Sequence, residues 1–216
     1  MRAATLGFTI VLSLSARPAL AQLEPACVEN SPERRGEIGC SLVEDKPLPP
    51  GLKPPLVWHL DRFATEDAAK AAAGPASIAL TAHGVVWLMT IEPAAADHHG
   101  GQHVVAAALP ALPPAEKYSM LAMSAYIPSG LTSRFHSHSG VEGFFVVDGQ
   151  QCLEMADRTY VMNKGATLVV PAGIAMRLVA TGPTPRRALA VIVYDASQPP
   201  TTRMEGEAAP KLMSCK

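Results

Sequence analysis

Aromatic side chains are scarce in this chain, at 5% of its 216 residues. Rings bury more area per residue than other side chains. A core here must therefore be packed by alanine, valine, leucine and methionine, and the 48% hydrophobic fraction is enough for that. Charge is scarce as well: Asp, Glu, Lys and Arg make up 17% and the formal net charge is -1. That balance excludes the basic footprint of a nucleic-acid binder. No apolar run is long enough to cross a bilayer. There is no Ser-His-Asp constellation, and Gly100-Gly101 lacks the strand-to-helix context of a phosphate-cradling loop.

What is present begins with a leader. Arg2 precedes an apolar run from Leu6 to Leu14, and Ala19-Leu20-Ala21 reads as a small-residue cleavage site before Gln22. Residues 1–21 are therefore expected to be a cleaved signal peptide, leaving an exported protein, periplasmic or secreted, with no membrane segment after cleavage. Loss of Arg2 and Arg17 takes the mature chain to about -3. Cysteine usage agrees with export, because disulfides persist in oxidising compartments. Cys27 and Cys40 bracket a polar loop, and a bridge there would add about 3 kcal/mol in the chain-entropy view. Cys152 and Cys215 can also pair, but spacing does not choose among the connectivities.

Residues 22–55 form a proline-rich N-terminal extension. The density of proline from Lys46 to Pro55 opposes both helix and central strand, and reads as an extended strap. A short helix follows: Thr65 caps it, Glu66 and Asp67 fill its first turn, and Gly74-Pro75 stops it. From Ala76 the pattern is β. Strands are expected at 77–82, 85–91, 103–109, 118–127, 144–147, 152–155, 159–162, 167–170, 176–180 and 189–194, separated by glycine- or proline-bearing turns. Many short strands at regular spacing argue for a barrel or sandwich. Residues 56–198 are expected to be the barrel and 199–216 a flexible tail. Asp61-Arg62 and Arg186-Arg187 read as surface charge.

The chemistry concentrates between Gly130 and Gly149. In a strand alternate side chains share a face, so His136 and His138 enter one cavity. Ser139-Gly140 turns the chain, and Glu142 can face the same cavity from the next strand. Two imidazoles and a carboxylate are the donor set of a facial triad with open positions. Phe144 and Val146 share the inward face with Glu142, as Leu178 does with Met176. Gln151, Tyr126 and Arg134 are polar candidates at the mouth. The tract from Asp97 to His103 is histidine-rich and glycine-bearing, a pattern that can bind metal but more often marks a solvated loop.

The stretch resembles the first box of the cupin superfamily: glycine, five residues, His-x-His, three or four residues, glutamate, six residues, glycine. Gly130, His136, His138, Glu142 and Gly149 fill every fixed position. The second box follows after 15 residues, with Gly165, Pro171 and Gly173 in place. Where that box has histidine this chain has Met176, and where it has asparagine it has Ala180. The resemblance covers 118–196. It implies an all-β fold: a single cupin jelly-roll β-barrel, here with one short N-terminal helix and an extended N-terminal strap. It also implies one divalent transition metal (Fe, Mn, Zn or Cu) on His136, His138 and Glu142, and a small-molecule ligand. Three roles for Met176 stay open: a thioether ligand that biases the site toward copper, a packing residue beside an open triad, or a mark of a site that has lost metal. Functions also stay open. They are a metalloenzyme of dioxygenase or isomerase type, a non-catalytic binder of metal or small ligand, and an assembly scaffold. No general acid or base is evident beside the triad. Exposed strand edges would be covered by a homodimer.

Overall fold

Tyr118–Ile127 and Arg186–Asp195 are ten-residue strands in which both faces are apolar. A strand of that kind needs cover on each side, and this requirement organises the molecule. The computed structural model describes residues 28–29, 39–204 and 213–215. In chain order the elements are β1 (Val28–Glu29), β2 (Gly39–Pro47), β3 (Leu56–Phe63), α1 (Glu66–Ala72), β4 (Ser77–Ala82), β5 (Val85–Pro93), β6 (Gln102–Ala108), β7 (Tyr118–Ile127), β8 (His136–His138), β9 (Val141–Asp148), β10 (Gln150–Met155), β11 (Thr159–Asn163), β12 (Thr167–Val170), β13 (Met176–Thr181), β14 (Arg186–Asp195) and β15 (Thr201–Arg203).

Three sheets stack as layers. The central one has the order β1-β2-β7-β14-β9-β12. On one side of it lies β11-β10-β13-β8-β15, and the two sheets together make the all-β jelly roll. Leu121, Met123, Phe144, Val146, Leu153, Met155, Met176, Leu178 and Ile192 fill the space between them. On the other side lies β4-β5-β3-β6. Its Trp58, Leu60, Ile78, Trp87 and Met89 pack on Met120, Ala122, Phe145, Leu189 and Val191 of the central sheet. The contact is close: a Cβ on Gly143 would fall 2.7 Å from the Trp58 ring.

The helix forms as its sequence predicts, with the Thr65 side chain accepting from the Ala68 amide at 3.2 Å. Several other expectations change. Residues 56–108 do not close into the barrel but form the third layer, which includes a strand at 56–63 that is absent from the expected ones although Leu56, Trp58 and Leu60 alternate there. The extension is not only a strap, because Gly39–Pro47 pairs along β7 as a strand of the central sheet. The described residues of the expected tail are held as well. Thr201–Arg203 pairs with β8, and Cys215 is bonded to Cys152 with 6.2 Å between their Cα atoms. The Met213 amide donates to the Met155 carbonyl at 2.9 Å. Cys40 is disulfide-bonded; its expected partner Cys27, and the expected leader at 1–21, lie outside the described residues.

Candidate metal centre

The register of four strands builds the site. β13 brings Met176 opposite His136, and β15 brings Thr201 opposite His138. In β9, Glu142 lies between Val170 and Ile192. The ligand atoms of His136, His138 and Glu142 all lie within 4.8 Å of one another. The two imidazoles meet edge to face, with centroids 4.9 Å apart.

Each ring is fixed by the nitrogen that faces away from its neighbours. His136 Nδ1 lies 2.8 Å from the Arg134 carbonyl, and His138 Nδ1 lies 3.0 Å from the Pro200 carbonyl and 3.1 Å from Thr201 Oγ1. A carbonyl only accepts, so both Nδ1 atoms carry a hydrogen, and Nε2 is the ring atom left to face the triad. Orientation of this kind is what metal-ligating histidines use. His138 Nε2 and Glu142 Oε2 are buried and lie 2.9 Å apart. They face each other as an ion pair without a well-aligned hydrogen bond, and apart from each other neither atom has a hydrogen-bond partner among the described groups. Buried polar atoms are normally satisfied, and one cation between them would satisfy both. The residues present therefore fit a metal.

Burial, with His138 alongside, lowers the His136 pKa and keeps that ring neutral. Burial also pulls His138 down, but the Glu142 charge beside it more than offsets this, and its pKa is raised.

A cavity of about 110 Å³ opens on the triad. Its apolar wall includes Met123, Ile127, Phe144, Leu153 and Leu178. Met176 does not line it. That side chain is 1% exposed and packs in the inner core. Arg134 lines the cavity as expected. Gln151 does not sit at the mouth: it is fully buried and accepts a hydrogen bond from Arg186 Nε. Tyr126 lies instead under the Arg187 guanidinium, 5.6 Å away.

Two residues read as surface charge are buried. Arg186 is 2% exposed and lines the cavity. Burial pushes its pKa down to about 10 while the Glu142 charge opposes the shift, so it stays cationic at neutral pH. By the period of the strand Arg186 shares the inner face with Ala188, Ala190 and Ile192, but Leu189, Val191 and Val193 make the other face equally apolar, so the sequence does not show which face is inner. Asp61 is fully buried and is met by His98 and His103 from the histidine-rich tract, whereas His99 points outward, 82% exposed.

Residues 123–192 match the family model described as a cupin domain. This stretch is a cupin domain. Solved structures similar to the chain include the SPY1581 protein of unknown function from Streptococcus pyogenes (26% identity, 36% of this chain and 64% of that one, TM-score 0.31). The DMSP lyase DddQ from Ruegeria pomeroyi DSS-3 is another (25%, 41% and 45%, TM-score 0.37). So is the salicylate 1,2-dioxygenase from Pseudoaminobacter salicylatoxidans (20%, 34% and 20%, TM-score 0.32). The matched part spans less than two thirds of each of these proteins. No curated protein matches the chain. The cupin domain so delimited contains the triad, Met176 and Arg186; β2, β8's partner β15 and the third layer lie outside it.

Proposed function

We propose that this is an exported metal-binding cupin whose cavity takes a small carboxylate- or enolate-bearing molecule. The observation that carries the reading is the buried Arg186 cation in the same cavity as His136, His138 and Glu142. A buried guanidinium with one donor on Gln151 keeps a planar fork for an anionic oxygen pair, the geometry in which arginine binds carboxylate best. His136, His138 and Glu142 hold the metal. Bound there, it would supply a Lewis acid that polarises a ligand oxygen. Arg186 fixes the far end of the ligand, and the apolar wall excludes water. The cavity is somewhat smaller than the ~150 Å³ that admits benzene, which favours acids of a few carbons. The donor set of two imidazoles and one carboxylate suits iron(II), manganese(II) or zinc(II). Met176 serves as packing, consistent with its place in the core. Export is supported by the Ala19-Leu20-Ala21 pattern and by the Cys152–Cys215 bridge.

The test is elemental analysis of mature protein purified without added metal, followed by calorimetry with two- to six-carbon carboxylates. H136A/H138A is expected to lose one metal per chain, and M176L to keep it. R186M is expected to keep the metal and bind carboxylates at least ~10-fold more weakly. Unchanged metal in H136A/H138A, or unchanged carboxylate affinity in R186M, would sink the reading.

A further inference from the structure

A second group of imidazoles lies on the third layer, away from the barrel cavity. His59 and Asp61 are two apart in β3, so they share the face opposite Trp58 and Leu60, which enter the core. A register shift between Leu60 and Asp61 interrupts the pairing of β3 with β6 and sets His103 directly opposite Asp61. Irregularities of this kind re-aim side chains. The loop between β5 and β6 then folds back and inserts His98. It can do so because Gly100 and Gly101 have no side chains: a Cβ on Gly100 would fall 2.5 Å from the Asp61 carboxylate, and one on Gly101 2.3 Å from the Arg62 carbonyl.

Three imidazoles and two carboxylates converge there. His98 Nδ1 is 2.6 Å from Glu92 Oε1 and its Nε2 is 2.9 Å from Asp61 Oδ2. His103 Nδ1 is 3.0 Å from Asp61 Oδ1. His59 stacks on His98 with centroids 3.9 Å apart, and its Nε2 lies 3.3 Å from Glu92. Buried His59 Nδ1 has no partner among the described groups. One nitrogen from each of the three rings lies within 4.8 Å of the others. The edge of a tetrahedral zinc site with nitrogen ligands is about 3.3 Å, so rotation of side chains is enough to close the group around an ion. A hydrogen-bonded network alone would account for Asp61. It does not account for the stacked third imidazole with an unpartnered buried nitrogen.

We propose that His59, His98 and His103 form a second metal site for a zinc-class divalent cation, with Asp61 and Glu92 neutralising its charge and orienting the rings. Imidazole with carboxylate suits zinc, copper(II) or nickel(II), and His98 makes the site a clasp between the glycine loop and the sheet. It is independent of the barrel triad.

The test is equilibrium dialysis of chelator-stripped mature protein against zinc(II), counting bound metal per chain. H98A/H103A is expected to bind one equivalent fewer than the unaltered protein, whatever the barrel triad does. In H136A/H138A the remaining equivalent is expected to raise the thermal midpoint, because a ligand that binds only the folded state stabilises it. Adding H103A, at a side chain already 44% exposed, is expected to abolish that rise without loss of the fold. Cobalt(II) in place of zinc(II) gives a spectroscopic check on imidazole coordination in the same variants. Equal metal counts in the unaltered protein and H98A/H103A, or a midpoint shift that survives H103A, overturn the proposal.

Discussion

His83 shows how a single residue couples backbone, burial and charge. It occupies the turn between β4 and β5 with φ 54°, a region that non-glycine residues seldom enter. Its ring reaches back to the central sheet, with Nε2 3.2 Å from the Ala188 carbonyl. Burial lowers its pKa, and Arg187 and Arg186 add to the effect against that hydrogen bond. The folded ring therefore resists a proton that the unfolded chain accepts. As pH falls through the ordinary histidine value near 6.5, the unfolded state takes up more protons, so stability drops, and the drop ends below the folded pKa. Asn tolerates the same φ and does not titrate. H83N is therefore expected to lose less stability than the unaltered protein between pH 7.5 and pH 5.5, measured as the shift in urea midpoint. Equal shifts would remove His83 as a source. Arg186 and Asp61 carry the same lesson from the other direction. Both are charged and both are buried, and nothing local to Asp61-Arg62 or Arg186-Arg187 distinguishes the member of each pair that turns inward.

Strands decide what the triad can do. Spacing alone places His136 and His138 on one face, and most of the strands from Ser77 to Tyr194 were legible from alternation and turn residues. The element that finishes the site was not. β15 is three residues long and follows Pro199-Pro200, so it has too little sequence to show a period. Yet its approach supplies the Pro200 carbonyl and Thr201 hydroxyl that orient His138. Removing such an outer partner typically costs 10–100-fold in metal affinity. A chain ending at Gln198, carrying C152A so that no lone thiol is left at that position, is expected to show that loss beside full-length C152A/C215A. Competition with a chelator would measure it. Equal affinities would mean that the ring is held by other contacts.

At the scale of the molecule the central sheet is a shared wall. Its inner face carries the metal centre and its outer face carries the third layer, so β7, β9 and β14 read as nearly continuous apolar runs. The contact at Gly143 tests whether the third layer is bound tightly. Trp58 is fully buried and cannot retreat. G143A is expected to destabilise the protein by about 1–3 kcal/mol through overpacking, read by chemical denaturation, with one metal per chain still held by the barrel. A neutral result would show that the two sheets can part at that point.

The sequence by itself determined the strand-rich class, the capped helix, the cupin boxes and the pairing of two histidines with one glutamate. All of these follow from periods of two residues, turn chemistry or fixed spacing, which are local properties of the chain. Only the tertiary structure decided that residues 56–108 form a separate layer and that Cys152 meets Cys215. It also placed Arg186 in the cavity beside the triad, and gathered His59, His98 and His103 around Asp61. Those are meetings between segments far apart in the chain. A strand buried on both faces carries no alternation to say which side a charged residue will take.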